Sequence, residues 1–337
     1  MECALLAAPV HFGLPTEPVA PHVIQNEYGR NGLTKSPLHN LMATPKNFGL
    51  IGAAGYVAPR HMKAIVDTGN KLVAAMDPND SVGVIDSYAP DASFFTEFER
   101  FDRHAEKLRR AGEEHRLHYV SICSPNYLHD AHCRFALRIG ADAICEKPLV
   151  LNPWNVDALQ EIEEETGQRI WNVLQLRLHP AVIDLKKRIN AEPDGKRHQV
   201  DLKYITPRGK WYDVSWKGDP AKSGGVATNI GIHFFDMLMW VFGGVQHSNV
   251  TRSEPRSIAG ELVLEKADVN WHLSVEATDL PQGHQAAFRS LTFNEEPFDF
   301  SGGFTDLHTQ VYQYALEGRG FTLDDVRPSV ALAQALR

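Results

Sequence analysis

Three short stretches of this chain could bring proton-exchanging and anion-gripping side chains together. In SWKGDPAKSGGVATNIGIHFFDMLMWVFGG (residues 215–244) a helix is expected from about Thr228 to Gly243, placing Asn229, His233 and Asp236 at i, i+4 and i+7. That spacing makes one polar stripe of an amide, an imidazole and a carboxylate, while Ile230, Phe234, Met237, Leu238 and Val241 form the apolar face. An imidazole titrates near neutral pH, so His233, with a carboxylate one turn on to orient it, is a candidate general base. A lone histidine there would more simply be a satisfied core residue. In CEKPL (145–149) Lys147 precedes a proline, which biases it toward extended backbone. A lysine turned into a cleft can act as acid, base or fixed cation. SPNYLH (124–129) ends another expected strand, although Asn126 there could equally cap the next helix. His and Asp at these spacings could bind zinc, but there is neither an HExxH motif nor a cysteine cluster, so no metal is expected.

GAAGYVA (52–58) lies between an expected strand and helix. Glycines there permit a tight turn and let backbone amides at the helix N-terminus approach a pyrophosphate. Gly52 and Gly55 are three apart and Ala58 takes the helix-packing position, so the usual GxGxxG spacing is absent and a purely structural turn would read the same. Asp77, closing the second expected strand, adds the carboxylate that can bond the adenosine ribose. It would repel a 2′-phosphate, which favours NAD over NADP.

These residues need a scaffold, and the chain alternates apolar runs with helical stretches from Lys46 to about residue 176. FGLIG (48–52), KLVAAMD (71–77), HYVSICSP (118–125), DAICEKPL (142–149) and RIWNVLQ (169–175) read as buried strands, with helices between them. That is the pattern of a parallel α/β sheet with crossover helices. Beyond 177, HQVDLKYITPRG, VNWHLSVEATDLP and RSLTFNEEPFDF alternate with period two, as in an antiparallel sheet with one wet face. Residues 1–45, rich in proline and lacking a sustained period, read as a disordered extension; Met42 is an alternative start.

The 337 residues suit two domains, and a net charge of -8 argues against a nucleic-acid partner. Four cysteines without CxxC spacing suit a reducing compartment. No wholly apolar run approaches the ~20 residues that span a bilayer, and no basic n-region opens the chain, so a cytoplasmic protein without a membrane partner is expected.

In this order, the GxxGxxA turn, Asp77, SPNxxH, EKP and the GGxxxxxGxHxxD helix resemble the Gfo/Idh/MocA oxidoreductases over residues 46–337. The resemblance implies a Rossmann NAD-binding domain over 46–176. It also implies an α+β substrate-binding domain over 177–337, whose large, mostly antiparallel open sheet builds a homodimer or tetramer. KNFGLIGAAGYVAPRHMKAI, YVSICSPNYLH, NVLQLRLHP, YITPRGKWY and GFTDLHT resemble more narrowly the branch that oxidises C3 of UDP-N-acetyl-D-glucosaminuronic acid to the 3-keto sugar in bacterial O-antigen and lipopolysaccharide synthesis.

Carried to positions here, the resemblance implies NAD contacts from Gly52, Tyr56, Val57, Ala58, Asp77, Asn79, Ser124, Asn126, His129, Glu146, Lys147 and Gln175. It implies substrate contacts from Lys147, Arg177, Arg208, Tyr212, Asn229 and His233, with Lys147 and His233 the catalytic pair and His233 favoured as base. Lys217 and Lys222 are expected to be solvated. The alternatives are an inositol- or glucose-type dehydrogenase of the same fold and a non-catalytic sensor of NAD and nucleotide-sugar. The unusual glycine turn and the long stretch 80–117 depart from the broader family.

Overall fold

The first sheet is built from the buried apolar runs. In a computed structural model that describes residues 44–299, 302–303 and 306–337, the five runs become β1 (Asn47–Ile51), β2 (Lys71–Met76), β4 (Tyr119–Ile122), β5 (Asp142–Cys145) and β6 (Ile170–Asn172), and a half-buried strand not anticipated from the sequence, β3 (Ser93–Phe95), joins them. They lie all parallel in the order β3-β2-β1-β4-β5-β6. The order reverses between β1 and β4, and the crevice at the carboxyl ends of such strands is where doubly wound sheets take their ligands. All five residues of β1 are buried, as a strand covered on both faces requires. The helices of this half are α1 (Ala58–Asp67), α2 (Phe98–Ala111), α3 (His129–Arg138) and α4 (Pro153–Thr166). The N-terminal extension and Met42 lie outside the described residues.

After α5 (Pro180–Asn190) comes a second six-stranded sheet. It comprises β7 (His198–Ile205), β8 (Val245–Glu254), β9 (Ser257–Leu264), β10 (Ala267–Ser274), β11 (Phe288–Phe293) and β12 (Glu296–Pro297), in the order β12-β11-β7-β10-β9-β8. Every pairing is antiparallel except β10 with β7. In β7 His198, Val200 and Leu202 face inward and Gln199, Asp201 and Lys203 outward, the period of two that marks a sheet covered on one face. Strands β8 and β9 were not anticipated from the sequence: β8 is mostly exposed and polar, so it lacks that signal.

Between β7 and β8 run two short helices, α6 (Trp211–Val214) and α7 (Pro220–Ser223), then a π turn over Ala227–Gly231 and α8 (Ile232–Phe242). The expected single helix is therefore two conformations in series. Gly231 is needed where they join, because a Cβ there would come 2.4 Å from the Leu273 side chain on β10. Phe234, Phe235, Met237, Leu238 and Val241 then bury against the second sheet. The run Pro220–Phe242 is long and apolar enough by length and composition to cross a bilayer, but most of it is buried inside the protein, as in the core helix of a globular domain.

The chain ends with α9 (Leu307–Leu316) and α10 (Leu323–Ala335), which return to the first sheet. Leu307, Val311 and Tyr312 share a core with Phe48 and Leu50, while Leu323, Val326 and Val330 pack with Ile51 and Val120. Thr44–Arg337 accordingly cluster as one unit. Helical periodicity marks an apolar face but not which sheet it will cover, so the stretch read as part of a 177–337 domain contributes to both cores.

Candidate active site

The glycine turn starts where β1 meets β4. Gly52 has φ +92°, and a Cβ there would lie 2.5 Å from the carbonyl carbon of Cys123, so only glycine fits between these strand ends. No side chain caps α1, and among the described residues the amides of Tyr56 and Val57 carry no hydrogen bond. A helix N-terminus with free amides is suited to a pyrophosphate, and Tyr56, 92 % exposed, leaves the approach open. Asp77 lies beneath this turn. It accepts from the Ala54 amide at 2.9 Å and from the backbone and side chain of Asn79 at 2.8 and 3.1 Å. A carboxylate has about four acceptor directions, so room remains for a ribose hydroxyl.

Asn229 gathers the residues of the second half. Its side-chain oxygen lies 3.3 Å from Asn126 Nδ2 and its side chain lies close enough to act on the Tyr212 phenol, while its backbone carbonyl lies 3.4 Å from Lys147 Nζ. Asn126 also donates to the Ser223 carbonyl at 3.0 Å, tying the two loops together instead of capping a helix. Thus Asn126, Lys147, Tyr212 and Asn229, spread over 104 positions, meet at one cleft.

Lys147 and His233 face it with their charge states already biased. Burial pushes the Lys147 ammonium below its ordinary range, and the Glu146 carboxylate partly restores it. Burial also pushes the His233 imidazole well below its usual range, and the Lys147 charge adds to the effect. His233 packs on Phe234, with ring centroids 4.2 Å apart, and its Nδ1 is buried without a hydrogen-bond partner, as is Gln175 Oε1. Unsatisfied buried polar atoms are rare, and the one on His233, beside the Lys147 charge, fits a site completed by a polar ligand. A neutral imidazole next to a cation is a competent proton acceptor.

Several assignments are corrected by the side chains. Asp236 does not orient His233. The buried Arg177 holds it through two hydrogen bonds and takes Asp325 at 2.8 Å as well, so the Arg177 guanidinium is consumed by an internal ion-pair network instead of a substrate. The π turn explains the error, because the α-helical spacing from Asn229 to Asp236 does not hold through it. His129 Nδ1 and Nε2 lie 2.7 and 2.8 Å from the carbonyls of Pro148 and Ser124, which makes it a clamp between two loops rather than a cofactor ligand. The Ser124 hydroxyl turns to His132, 2.8 Å away, and its carbonyl faces His129, so the side chain is engaged inside the protein and keeps only its remaining hydroxyl capacity for a ligand. Glu146 points inward: its Oε1 accepts from His61 at 3.0 Å and His308 at 3.1 Å. These three could group around a metal ion, but nitrogen-to-oxygen hydrogen bonds account for both contacts.

Other residues are drawn in that the sequence did not mark. Lys217 is half-buried, pushed down by burial and by Arg208, and among the described residues neither cation has a carboxylate partner. Lys217 is therefore not merely solvated. Lys222 instead pairs with Asp219 at 3.6 Å, as an exposed lysine does. Arg289, opposite Tyr204 in the β11–β7 register, adds a cation that acts on His233.

Residues 46–173 match the oxidoreductase family NAD-binding Rossmann fold of the Gfo/Idh/MocA type, and residues 186–268 its C-terminal alpha/beta domain. The structure is similar to the WlbA (WbpB) dehydrogenase from Thermus thermophilus in complex with NAD and alpha-ketoglutarate, at 49% identity and TM-score 0.82, covering 86% of this chain and 94% of that one. The same enzyme in complex with NAD and UDP-GlcNAcA superposes with TM-score 0.81 at 48% identity, over 86% and 94% of the two chains. An inositol 2-dehydrogenase from Rhizobium meliloti is 27% identical over 208 residues, which is 58% of this chain and 54% of that one, so the match spans about half the relative's length. The chain belongs to the Gfo/Idh/MocA oxidoreductases, and its N-terminal sheet is that family's NAD-binding Rossmann domain.

Proposed function

We propose that the protein oxidises the C3 hydroxyl of UDP-N-acetyl-D-glucosaminuronic acid to the 3-keto sugar with NAD as acceptor. The observation that carries this reading is the pairing at one cleft of a half-buried lysine and a histidine held neutral, with Arg208, which lacks a carboxylate partner among the described residues, acting on both Tyr212 and Lys217. The similarity to the Thermus enzyme complexed with UDP-GlcNAcA supports the choice of sugar.

The turn at Gly52, the amides of Tyr56 and Val57, and Asp77 with Asn79 would hold the dinucleotide, and Gln175 would face its nicotinamide end. When bound, NAD accepts the hydrogen and electron pair from C3. His233 takes the hydroxyl proton, and Lys147 steadies the oxygen as negative charge develops on it. Asn229 and Tyr212 orient the sugar, and Arg208 with Lys217 bind the diphosphate, whose charge needs such partners in a chain of net charge -8. The same reading places the protein in the cytoplasm as a homo-oligomer serving surface-polysaccharide synthesis.

Incubation with NAD and a panel of UDP-linked uronates, followed by NADH absorbance and mass analysis, tests this. A 3-keto uronate is the expected product, and no turnover on any uronate defeats the reading. Turnover of free inositol without UDP would instead support a polyol dehydrogenase, the reading favoured by the Rhizobium match.

A further inference from the structure

Outside the cleft, the most elaborate polar cluster among the described residues surrounds Glu146. His61 comes from α1 and His308 from α9, each placing Nε2 on the same carboxylate oxygen at 3.0 and 3.1 Å. His61 Nδ1 lies 2.7 Å from the Tyr312 hydroxyl, which lies 2.6 Å from Ser121 Oγ. The direction of each proton follows. Glu146 can only accept, so His61 donates through Nε2 and accepts through Nδ1 from Tyr312, whose oxygen then accepts from Ser121. The donors all point toward Glu146. Burial raises its carboxyl, but the His308 and His61 hydrogen bonds overcome that and leave it well below the ordinary range, ionised.

That anion needs a counter-charge, because an unbalanced buried carboxylate is costly. The titratable groups that face it are His61, His308, Tyr312, Cys123, Cys145, His129, Lys147 and His233. Burial keeps the thiols and the phenol protonated and pushes His61 and His233 toward the neutral form, while both ring nitrogens of His129 face carbonyl oxygens that can only accept. Among these groups Lys147 is the one that is cationic in its ordinary state, and the Glu146 carboxylate supports that charge. Lys147 is adjacent in the chain, and its amide donates to Glu146 Oε2 at 3.2 Å.

We propose that Glu146 is a positioning residue for Lys147: anchored by His61 and His308, its carboxylate fixes the Lys147 backbone and supplies the negative charge that keeps the lysine cationic in the cleft. Helix α9, far along the chain, thereby braces a residue of the reacting pair. The inference rests on the proposed dehydrogenase reading for its consequence, but not for its test.

The test is trace acetylation of Lys147 across a pH series in the unliganded protein, read by peptide mass spectrometry in wild type, Glu146→Gln and Glu146→Asp. The expected midpoint for Glu146→Gln is about one pH unit lower, as for loss of a neighbouring opposite charge. Glu146→Asp, which keeps the charge, stays near wild type even where its thermal stability falls. An unchanged midpoint in Glu146→Gln overturns the proposal, and so does a wild-type protein carrying one equivalent of transition metal, which would make the cluster a metal site.

If the uronate is a substrate, the whole bell of kcat/KM against pH moves to lower pH in Glu146→Gln, since His233 feels the same carboxylate. A bell that loses height at an unshifted position assigns Glu146 a purely structural role and overturns the proposal. Failure of the uronate to react removes this arm and leaves the labelling result intact.

Discussion

Arg177 holds Asp236 through two hydrogen bonds, Nε to Oδ2 at 2.9 Å and Nη2 to Oδ1 at 2.7 Å, and joins the last turn of the first half to α8. Both side chains are buried, at 9 and 3 % exposure. Breaking such a pair leaves one charge buried without its partner, at a cost of about 3–5 kcal/mol. Asp236→Ala should lower the thermal midpoint by roughly 10 °C. Replacing both residues with Arg177→Met and Asp236→Leu should recover much of it. Calorimetry of the three variants checks the relation, and a single variant as stable as wild type would refute it.

The reacting pair makes a different prediction. Lys147→Ala and His233→Asn should each lower kcat by about 10²–10⁴ fold, the span of a lost proton acceptor or oxyanion partner, with NAD affinity nearly unchanged. Steady-state rates with a fluorescence titration of NAD separate the two quantities. A near-normal rate in either variant removes that residue from the chemistry.

Most of the fold was legible because parallel strands buried on both faces leave continuous apolar runs, as NFGLI does in β1. The cleft was legible at Lys147 and His233 because the EKP and GxHxxD patterns mark them. The roles of Asp236, His129 and Glu146 were not, for one physical reason. Each carboxylate or imidazole has a single orientation, and whether it faces the cleft or the core depends on partners such as Arg177 and His308, which lie 59 and 162 positions away. The exposed strand β8 and the π turn before α8 escaped for the complementary reason that their sequences carry no period of their own.

The pH dependence of activity follows from His233. Burial, and then Lys147, hold the imidazole well below its usual range, so the neutral, proton-accepting form persists as pH falls below 6.5. The acid limb of kcat/KM should lie below that of an ordinary histidine. In Lys147→Ala, where the larger of the two cationic causes is removed and burial and Arg289 remain, the acid limb of the residual activity should lie at higher pH. A limb at the same pH in both proteins would show that Lys147 does not act on His233.

Stability should fall in the same direction for a separate reason. Burial pushes His132, stacked on Phe98, down from 6.5 to about 4. The unfolded chain therefore binds a proton that the folded chain refuses between those values, so this contribution is complete above pH 6.5 and lost as pH falls toward 4. His61 and His129, also lowered by burial, act with the same sign. Denaturant unfolding at pH 7 and pH 5 should show wild type losing more stability on acidification than His132→Gln. The difference expected from this one site is about 1–2 kcal/mol. Equal losses in the two proteins would mean that His132 titrates alike folded and unfolded, and that its contact with Ser124 persists after protonation.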